Sequence, residues 1–181
     1  MDAMAEAGGP ARDGAPPAGR AAWFALYVRS RQERVVAAGL VRAGLEAWLP
    51  LLPVLRRWSD RRKVVEVPAF PGYVFVRCAE EERRRALAVR GAVRFLGSGS
   101  GATPLDPAEI EAVREALARR VPFEPYPNLE PGRAVTVISG PLRGLAGILV
   151  RKRRNYRLVL AIRAMGQGIA AEVDAADVEP A

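Results

Sequence analysis

Phe70-Pro71-Gly72-Tyr73-Val74-Phe75-Val76 is the stretch of this chain that decides the fold. Its Pro-Gly pair predicts a tight turn, because proline presets φ and glycine accepts the positive φ that such turns require. The uninterrupted apolar residues from Tyr73 to Arg77 predict a central strand. Such a turn can hold aromatic side chains partly exposed, so Phe70 and Tyr73 are candidates for a surface.

The residues before this stretch predict a strand, a helix and a hairpin. Trp23 to Val28 is aromatic and β-branched, which is typical of a strand. Ser30 and Glu33 have capping-box spacing, so a helix should follow and extend through Leu45. Gly44 is the candidate signal for its end. Residues 46–56 should be extended at a sheet edge because of their prolines. Val64 to Val67 should be the returning strand after a charged turn.

The residues after the turn predict two more helices. Glu80–Arg84 and Glu81–Arg85 are i,i+4 pairs that support a short helix, followed by a brief strand from Val93 to Leu96. Asp106-Pro107 is a strong helix start, with an N-cap carboxylate and proline at the first position. This last helix should bury one face, formed by Ile110, Val113 and Leu117.

The C-terminal quarter has a different texture. Four prolines between Pro122 and Pro131 predict a semi-rigid linker. From Arg133 onward, short alternating runs are separated by glycine-rich turns, which is typical of a small antiparallel barrel without helices. Residues 1–21 are rich in Ala, Gly and Pro and predict a disordered tail.

Composition excludes several classes of function. The chain has 181 residues, no histidine and one cysteine, so a structural zinc site, an internal disulfide and histidine-dependent catalysis are excluded. Cys78 should be a small buried apolar residue, and a reducing cytoplasm fits. The net charge is +8, and residues 22–77 contain ten basic and four acidic residues, which suits a nucleic-acid partner.

Four motifs in order resemble the NusG family of transcription elongation factors. Trp23-Phe24-Ala25-Leu26, Phe70 to Val74 and Gly91 to Gly97 resemble its N-terminal domain. The segment from Leu129 to Gly147 resembles the family's KOW motif. Its motif positions are Gly132, Gly140, Pro141, Gly144 and Gly147.

The resemblance implies an α+β fold in two modules. Residues 22–121 would form an α/β sandwich with a mainly antiparallel sheet, and residues 132–181 a small SH3-like KOW barrel. Residues 122–131 would link them. The implied function is binding of bacterial RNA polymerase to suppress pausing or termination. The protein would act as a monomer in the cytoplasm, without catalysis, cofactor or metal, and the KOW module would recruit a further partner.

The resemblance also assigns site residues. Family members bind polymerase through an apolar patch, which here comprises Trp23, Phe70, Pro71 and Tyr73. The charged turn is a candidate contact to upstream DNA, to the non-template strand or to polymerase, or it is a solvated hairpin tip; its residues are Arg56, Arg57, Trp58, Arg61, Arg62 and Lys63. The nucleic-acid partner would be non-template DNA or nascent RNA. Arginines around a tryptophan combine phosphate contacts with base stacking.

Two segments resemble a specialised paralogue, the UpxY-type antiterminators: Trp58 to Lys63 and Arg154 to Leu158. The family's usual aromatic-Gly-Arg segment, which contacts the termination factor Rho or a ribosomal protein, is here Met165-Gly166-Gln167. An alternative interpretation is an RNA-binding or ribosome-associated protein, because KOW barrels also occur in ribosomal proteins. Polymerase binding by residues 22–121 alone would separate the two.

Overall fold

A computed structural model describes residues 20–57, 62–97, 101–119, 121–152 and 155–181. In the N-terminal half the strands are β1 (Ala22–Val28), β2 (Glu46–Trp48), β3 (Leu51–Arg57), β4 (Arg62–Pro68), β5 (Tyr73–Cys78), β6 (Ala92–Phe95) and β7 (Pro104–Leu105). The helices are α1 (Glu33–Arg42), α2 (Arg83–Leu87) and α3 (Pro107–Ala118).

The N-terminal sheet has the order β2-β5-β1-β6, with β7 also paired to β1, and all of these pairs are antiparallel. Strand β5 is therefore internal, as its continuous apolar sequence predicts. Residues Trp23 to Leu26 of β1 are all buried, because helices cover both faces of this sheet.

The two faces of the sheet pack against different helices. On one face, Phe24 and Leu26 lie in a core with Val36 and Leu40 of α1. On the other face, Trp23, Ala25 and Phe75 lie in a core with Ile110 and Val113 of α3. Alternate residues of β1 thus serve opposite cores, as the two-residue period of a strand requires.

Helix α1 begins and ends differently from its prediction. The capping box is wrong: Gln32 is the N-cap, without a side-chain cap bond, and Glu33 is the first helical residue. The Glu33 carboxylate instead bonds a distant turn, described below. The helix ends at Arg42 rather than Leu45, and Gly44 follows with φ of 75°, which confirms that glycine as the end signal.

Residues 46–57 form two strands rather than one extended segment, because Leu49 and Pro50 interrupt them. Within the described ranges, strands β3 and β4 pair only with each other, as a separate two-stranded sheet. Arg56 lies opposite Lys63, and Arg57 lies opposite Arg62. The tip of this hairpin, residues 58–61, lies outside the described residues.

The short helix after β5 uses different ion pairs from those predicted. A 3-10 turn (Glu80–Glu82) precedes α2, and the pairs are Glu80–Arg83 and Glu82–Arg85, both i,i+3. The tighter turn brings residues three apart together.

The start of α3 is confirmed: the Asp106 carboxylate accepts a hydrogen bond from the Ala108 N–H at 2.8 Å. Its buried face consists of Ile110, Val113 and Ala116, whereas Leu117 is only partly buried.

The C-terminal sheet contains six antiparallel strands in the order β13-β9-β10-β11-β12-β8. They are β8 (Glu124–Tyr126), β9 (Arg133–Val137), β10 (Ala146–Lys152), β11 (Asn155–Ile162), β12 (Gln167–Val173) and β13 (Val178–Pro180). Two 3-10 turns, Arg163–Met165 and Ala175–Asp177, are the only helical segments among the described residues of this region. Strand β8 lies in the segment that the prolines predict to be a linker.

The predicted α+β class is therefore confirmed, with a helix-covered antiparallel sheet followed by an all-β region. No helix in the described part of the chain is long and apolar enough to cross a membrane.

Candidate docking surface

One face of the N-terminal sheet is lined with aromatic side chains. Register pairs Tyr27 with Tyr73 and Ala25 with Phe75, so alternate residues of β1 and β5 share this face. Trp48 of β2 lies opposite Phe75 and extends the row. Helix α3 covers part of the face, and the rest reaches the surface.

The exposed end of this face is a pair of tyrosines. The Tyr27 and Tyr73 rings meet edge to face, with centroids 5.5 Å apart, and Tyr27 is 39% exposed. The Arg94 guanidinium lies 5.6 Å from the Tyr27 ring centroid, within cation–π range. Pro71 is exposed beside them. We call Tyr27, Pro71, Tyr73 and Arg94 the tyrosine surface.

The buried end of the face contains the other two residues of the predicted patch. Phe70 is 1% exposed and packs edge to face on Phe75 at 5.2 Å, so the expectation that its turn leaves it partly exposed is wrong. Trp23 is 6% exposed. The turn points Phe70 inward and presents Pro71 outward.

One arginine bridges the two indoles at this end. The Arg114 guanidinium of α3 lies 4.9 Å from the Trp23 ring and 4.8 Å from the Trp48 ring. Trp48 in turn stacks on Phe75 at 5.4 Å. The cluster of Arg114, Trp23, Trp48 and Phe75 therefore stabilises the buried end of the sheet face whose exposed end is the tyrosine surface.

The turn between β4 and β5 is fixed by three hydrogen bonds. Gly72 has φ of 82°, which a side chain would strain. Its carbonyl accepts from Val28 N–H at 2.9 Å, and its N–H donates to the Glu33 carboxylate at 2.9 Å. The Tyr73 N–H donates to the Phe70 carbonyl at 3.1 Å. Together these bonds set the position of Pro71 and Tyr73.

Sequence reasoning missed Tyr27 and Arg94. The available signal was the two-residue period of β1, which puts Tyr27 on the same face as Trp23. Arg94 had no such signal, because its place beside Tyr27 depends on the pairing of β6 with β1.

The predicted nucleic-acid residues lie at one end of the β3–β4 hairpin. The register brings Arg56 and Lys63 together, and Lys63 is exposed. Trp58 and Arg61 lie outside the described residues. Four basic residues, Arg56, Arg57, Arg62 and Lys63, occupy the last two paired positions of this hairpin.

The five KOW-motif positions lie before β9, in the turn between β9 and β10, and at the start of β10. Gly140 and Gly144 have φ of 76° and 89°, so both serve the turn conformation. Gly132 and Gly147 serve close packing instead: an added Cβ on Gly147 would lie 2.8 Å from both Leu158 and the Val159 carbonyl. Pro141 is exposed between the buried Val137 and Leu142.

The predicted partner loop follows β11. Met165 ends a 3-10 turn, Gly166 has φ of 63°, and Gln167 begins β12. The Gly166 carbonyl accepts from Leu129 N–H at 3.1 Å. Glu109 of α3 reaches the start of this turn, where it accepts from Arg163 N–H at 3.1 Å.

The single cysteine of the chain is not accessible in the fold. Cys78 is fully buried, and desolvation raises the pKa of its thiol to about 11. No group of three or more potential metal ligands occurs within the described ranges.

Comparison with known proteins finds a family model and relatives that match this chain. The family model described as "Transcription termination factor nusG" matches residues 21–114. The transcription termination/antitermination protein NusG of Pseudomonas aeruginosa is 31% identical over 161 residues, or 84% of this chain and 89% of that protein. The corresponding protein of Helicobacter pylori strain 26695 is 26% identical over 124 residues, covering 67% and 70%.

A solved structure shares the fold. It is described as "Domain interaction in Thermotoga maritima NusG" and aligns with a TM-score of 0.50 at 19% identity, covering 89% of this chain and 97% of that one.

Proposed function

The chain belongs to the NusG family of transcription termination and antitermination factors, and we propose that it binds bacterial RNA polymerase through the tyrosine surface. Bound there, it suppresses pausing or termination. Family membership supports a transcription factor rather than an enzyme. The UpxY-like specialisation remains a prediction from two short segments.

The observation that carries the proposal is the exposed aromatic pair. Tyr27 is 39% exposed, although the neighbouring residues of β1 are buried, and its ring packs on Tyr73. Aromatic and arginine side chains dominate the binding energy of protein interfaces. The tyrosine surface has both aromatic and arginine side chains, namely Tyr27, Tyr73 and Arg94. They lie on one rigid sheet, so little conformational entropy is lost on binding.

Trp23 and Phe70 support this surface rather than touch the partner. Both are almost fully buried, and Phe70 packs on Phe75, which neighbours Tyr73 on the same sheet face. In this proposal Pro71 and Tyr73 contact polymerase directly, while Trp23 and Phe70 hold the surface in shape.

The basic hairpin extends the proposal to nucleic acid. The paired positions Arg56–Lys63 and Arg57–Arg62 put four basic residues next to one another on a hairpin that pairs with no other strand of the described ranges. Non-template DNA near the bound polymerase is the partner that this charge suits. Arg56→Ala with Lys63→Ala should lower the salt slope of DNA binding by about 2, one per phosphate contact. Arg42→Ala, on α1, is the control and should leave the slope unchanged.

The C-terminal module would recruit a second partner through the loop Met165-Gly166-Gln167. This loop lacks the aromatic and the arginine of the usual family segment. The second partner would be a protein, and Rho and the ribosome are the two candidates to assay.

The polymerase proposal is tested with the full chain and purified bacterial core RNA polymerase. Tyr73→Ala and Tyr27→Ala should each weaken binding by about 2 kcal/mol, or roughly 30-fold in Kd. Tyr156→Ala is a matched control, because Tyr156 is a half-buried tyrosine on the C-terminal sheet with Arg151 near its ring. The control should change Kd less than twofold.

Two outcomes would count against this proposal. Equal binding by wild type and Tyr73→Ala would move the contact away from the tyrosine surface. Absence of polymerase binding by folded wild type would favour the alternative, an RNA-binding or ribosome-associated protein, which ribosome co-sedimentation would then check.

A further inference from the structure

The segment that follows α3 is built into the edge of the C-terminal sheet, although its prolines predict a linker. Strand β8 pairs antiparallel with β12, and its Tyr126 lies opposite Gly168. Farther along, the Leu129 N–H donates to the Gly166 carbonyl at 3.1 Å. We call residues 124–130 the strap. Its backbone is therefore held against the sheet at β8 and again at Leu129.

The strap covers a small apolar cluster on the outer face of the sheet. Val150, Val159 and Ala170 are buried there, and Tyr126 packs on them and is only 8% exposed. We call Val150, Val159 and Ala170 the outer cluster. Leu158, next to Val159 in β11, belongs to the interior core instead, so the two clusters lie on opposite faces of the sheet. Removal of the strap would expose apolar side chains on three neighbouring strands.

The Tyr126 phenol is desolvated in this position. Burial raises the pKa of Tyr126, and the charge of the Glu130 carboxylate, to which the phenol donates a hydrogen bond, raises it further. Because Glu130 is also part of the strap, this hydrogen bond helps to keep the strap in its bound conformation.

One arginine of the sheet clasps the strap. The Arg157 guanidinium forms an ion pair with the Glu124 carboxylate, and the Lys152 Nζ lies 3.9 Å from the same carboxylate. Arg157 lies opposite Val150, so it is on the same face as the outer cluster. Its side chain is only 21% exposed, and its Nε has no hydrogen-bond partner among the described residues. The guanidinium therefore depends on Glu124, because a largely buried charge without its partner is unfavourable.

This clasp gives a role to a sequence segment that the proposed function does not use. Arg157 lies in the segment from Arg154 to Leu158, which resembles the specialised paralogue. Asn155 of the same segment donates to the Glu172 carboxylate, and Glu172 lies opposite Arg157. Asn155 and Arg157 thus share the face of the sheet that the strap covers.

The strap also sets the length of chain that connects the two modules. With the strap bound, residues 119–123 connect the end of α3 at Ala118 to the start of β8 at Glu124. Such a five-residue connection spans at most about 17 Å. With the strap open, residues 119–132 would connect α3 to β9 and span up to about 48 Å. The range over which the C-terminal module can meet a partner therefore depends on the strap.

We propose that residues 124–130 are a charge-held strap, clasped by Arg157, which opens to lengthen the connection between the modules and to expose the outer cluster. Glu124 supplies the charge and Tyr126 the apolar contact, and loss of either opens the strap. The strap does not depend on polymerase binding, so this inference goes beyond the proposed function and does not rest on it.

Opening is measured by NMR hydrogen exchange on the full chain. The Leu129 amide reports the strap, because its bond to the Gly166 carbonyl exists only while the strap is bound. The Val137 amide, which donates to the Leu145 carbonyl at 2.9 Å, reports the rest of the C-terminal module. In Glu124→Gln the Leu129 amide should exchange about tenfold faster, because a hydrogen bond to a charged group is stronger than a neutral one. The Val137 amide should stay protected as in wild type.

A second variant and a control separate the ion pair from general effects of charge. Arg157→Gln should speed Leu129 exchange as Glu124→Gln does, and the double variant should differ from either by less than about twofold, because the two residues act as one pair. Glu66→Gln removes the charge of an ion pair of 3.0 Å in the N-terminal half and should leave both amides unchanged. In 1 M salt, where the Debye length is about 3 Å, Leu129 exchange relative to Val137 should rise in wild type but not in Glu124→Gln.

The apolar contact is tested with Tyr126→Ala and anilinonaphthalene sulfonate, a dye that binds exposed apolar surface. Dye fluorescence should rise in this variant, because the outer cluster loses its cover, while the Val137 amide stays protected. Tyr126→Phe is the matched control, since it keeps the ring, and its dye fluorescence should stay near that of wild type.

The opposite results would overturn the proposal. A Leu129 amide in wild type that exchanges as fast as an unstructured peptide would show that no strap forms. Unchanged exchange in Glu124→Gln would show that the ion pair does not hold it, and unchanged dye fluorescence in Tyr126→Ala would show that the outer cluster stays covered. Equal loss of protection at Leu129 and Val137 would show that the strap opens only when the whole module unfolds. Failure of wild type to bind polymerase would leave these results unchanged and would count against the proposed function alone.

Discussion

The carboxylate of Glu33, in the first turn of α1, accepts a hydrogen bond from the backbone N–H of Gly72, which is 39 residues away, at 2.9 Å. Glu33 is the one charged residue that is buried among the described residues. The bond ties the helix to the turn that presents Pro71 and Tyr73. A residue that the sequence suggests as a helix cap thus holds the turn beside the tyrosine surface instead.

Glu33→Ala should destabilise the protein by about 1–3 kcal/mol, because the Gly72 N–H loses its acceptor in a partly buried position. Urea unfolding gives the free energy. Glu66→Ala, which removes an exposed carboxylate, should cost less than about 0.5 kcal/mol and is the control. Polymerase affinity should fall with Glu33→Ala as the turn loosens. A variant as stable as wild type would show that the bond is dispensable.

Phe70→Ala should destabilise the fold by about 3–5 kcal/mol, because it empties a fully buried aromatic site against Phe75. Any loss of polymerase binding would then follow from loss of structure. Phe70→Leu keeps most of the apolar volume, so it should retain the fold and bind polymerase nearly as wild type does. Thermal unfolding followed by circular dichroism, with binding measured in parallel, separates these effects. Strong loss of binding by a well-folded Phe70→Leu would place Phe70 in the interface.

Two glycines of the KOW motif should respond differently to substitution. Gly147→Ala should cost about 1–3 kcal/mol, because the new Cβ would meet Leu158 and the Val159 carbonyl at 2.8 Å. Gly144→Asn should be nearly tolerated, because nothing lies within 4 Å and asparagine accepts the positive φ of 89° better than most residues do. Urea unfolding of both variants gives the comparison. Equal losses in the free energy of unfolding would mean that the sheet shifts to make room for the new Cβ at Gly147.

Cys78 should be inert in the folded protein. Its pKa is raised from 9.0 to about 11, mainly by desolvation, so the folded state favours the neutral thiol. The contribution of this raised Cys78 pKa to the free energy of unfolding is fully present below pH 9 and is lost as the pH rises through about 11. At pH 8 a thiol reagent should modify Cys78 rapidly in urea and far more slowly in the native state. Similar rates in both states would mean that the site opens readily.

Local patterns predict much of the fold. The strands Ala22–Val28 and Tyr73–Cys78 follow from short apolar runs, and the start of α3 follows from Asp106-Pro107, whose cap bond is 2.8 Å. Each of these features depends on residues within one turn or one strand, so the local segment is enough to predict it. Positions that contact distant residues are predicted less well. Glu33, for example, satisfies Gly72 rather than its own helix. The ion pairs around α2 are local, and they shift to i,i+3 because a 3-10 turn precedes this helix.

The tyrosine surface shows the same division between local and long-range causes. The Pro-Gly turn can be predicted from its own residues, because turn chemistry is local. Tertiary packing sets which aromatics reach the surface: Phe70 turns into the α3 core, while Tyr27 joins Tyr73. It also placed Arg94 beside Tyr27 and α3 between the two sheets. Burial depends on what packs from elsewhere in the chain, and no local pattern contains that information.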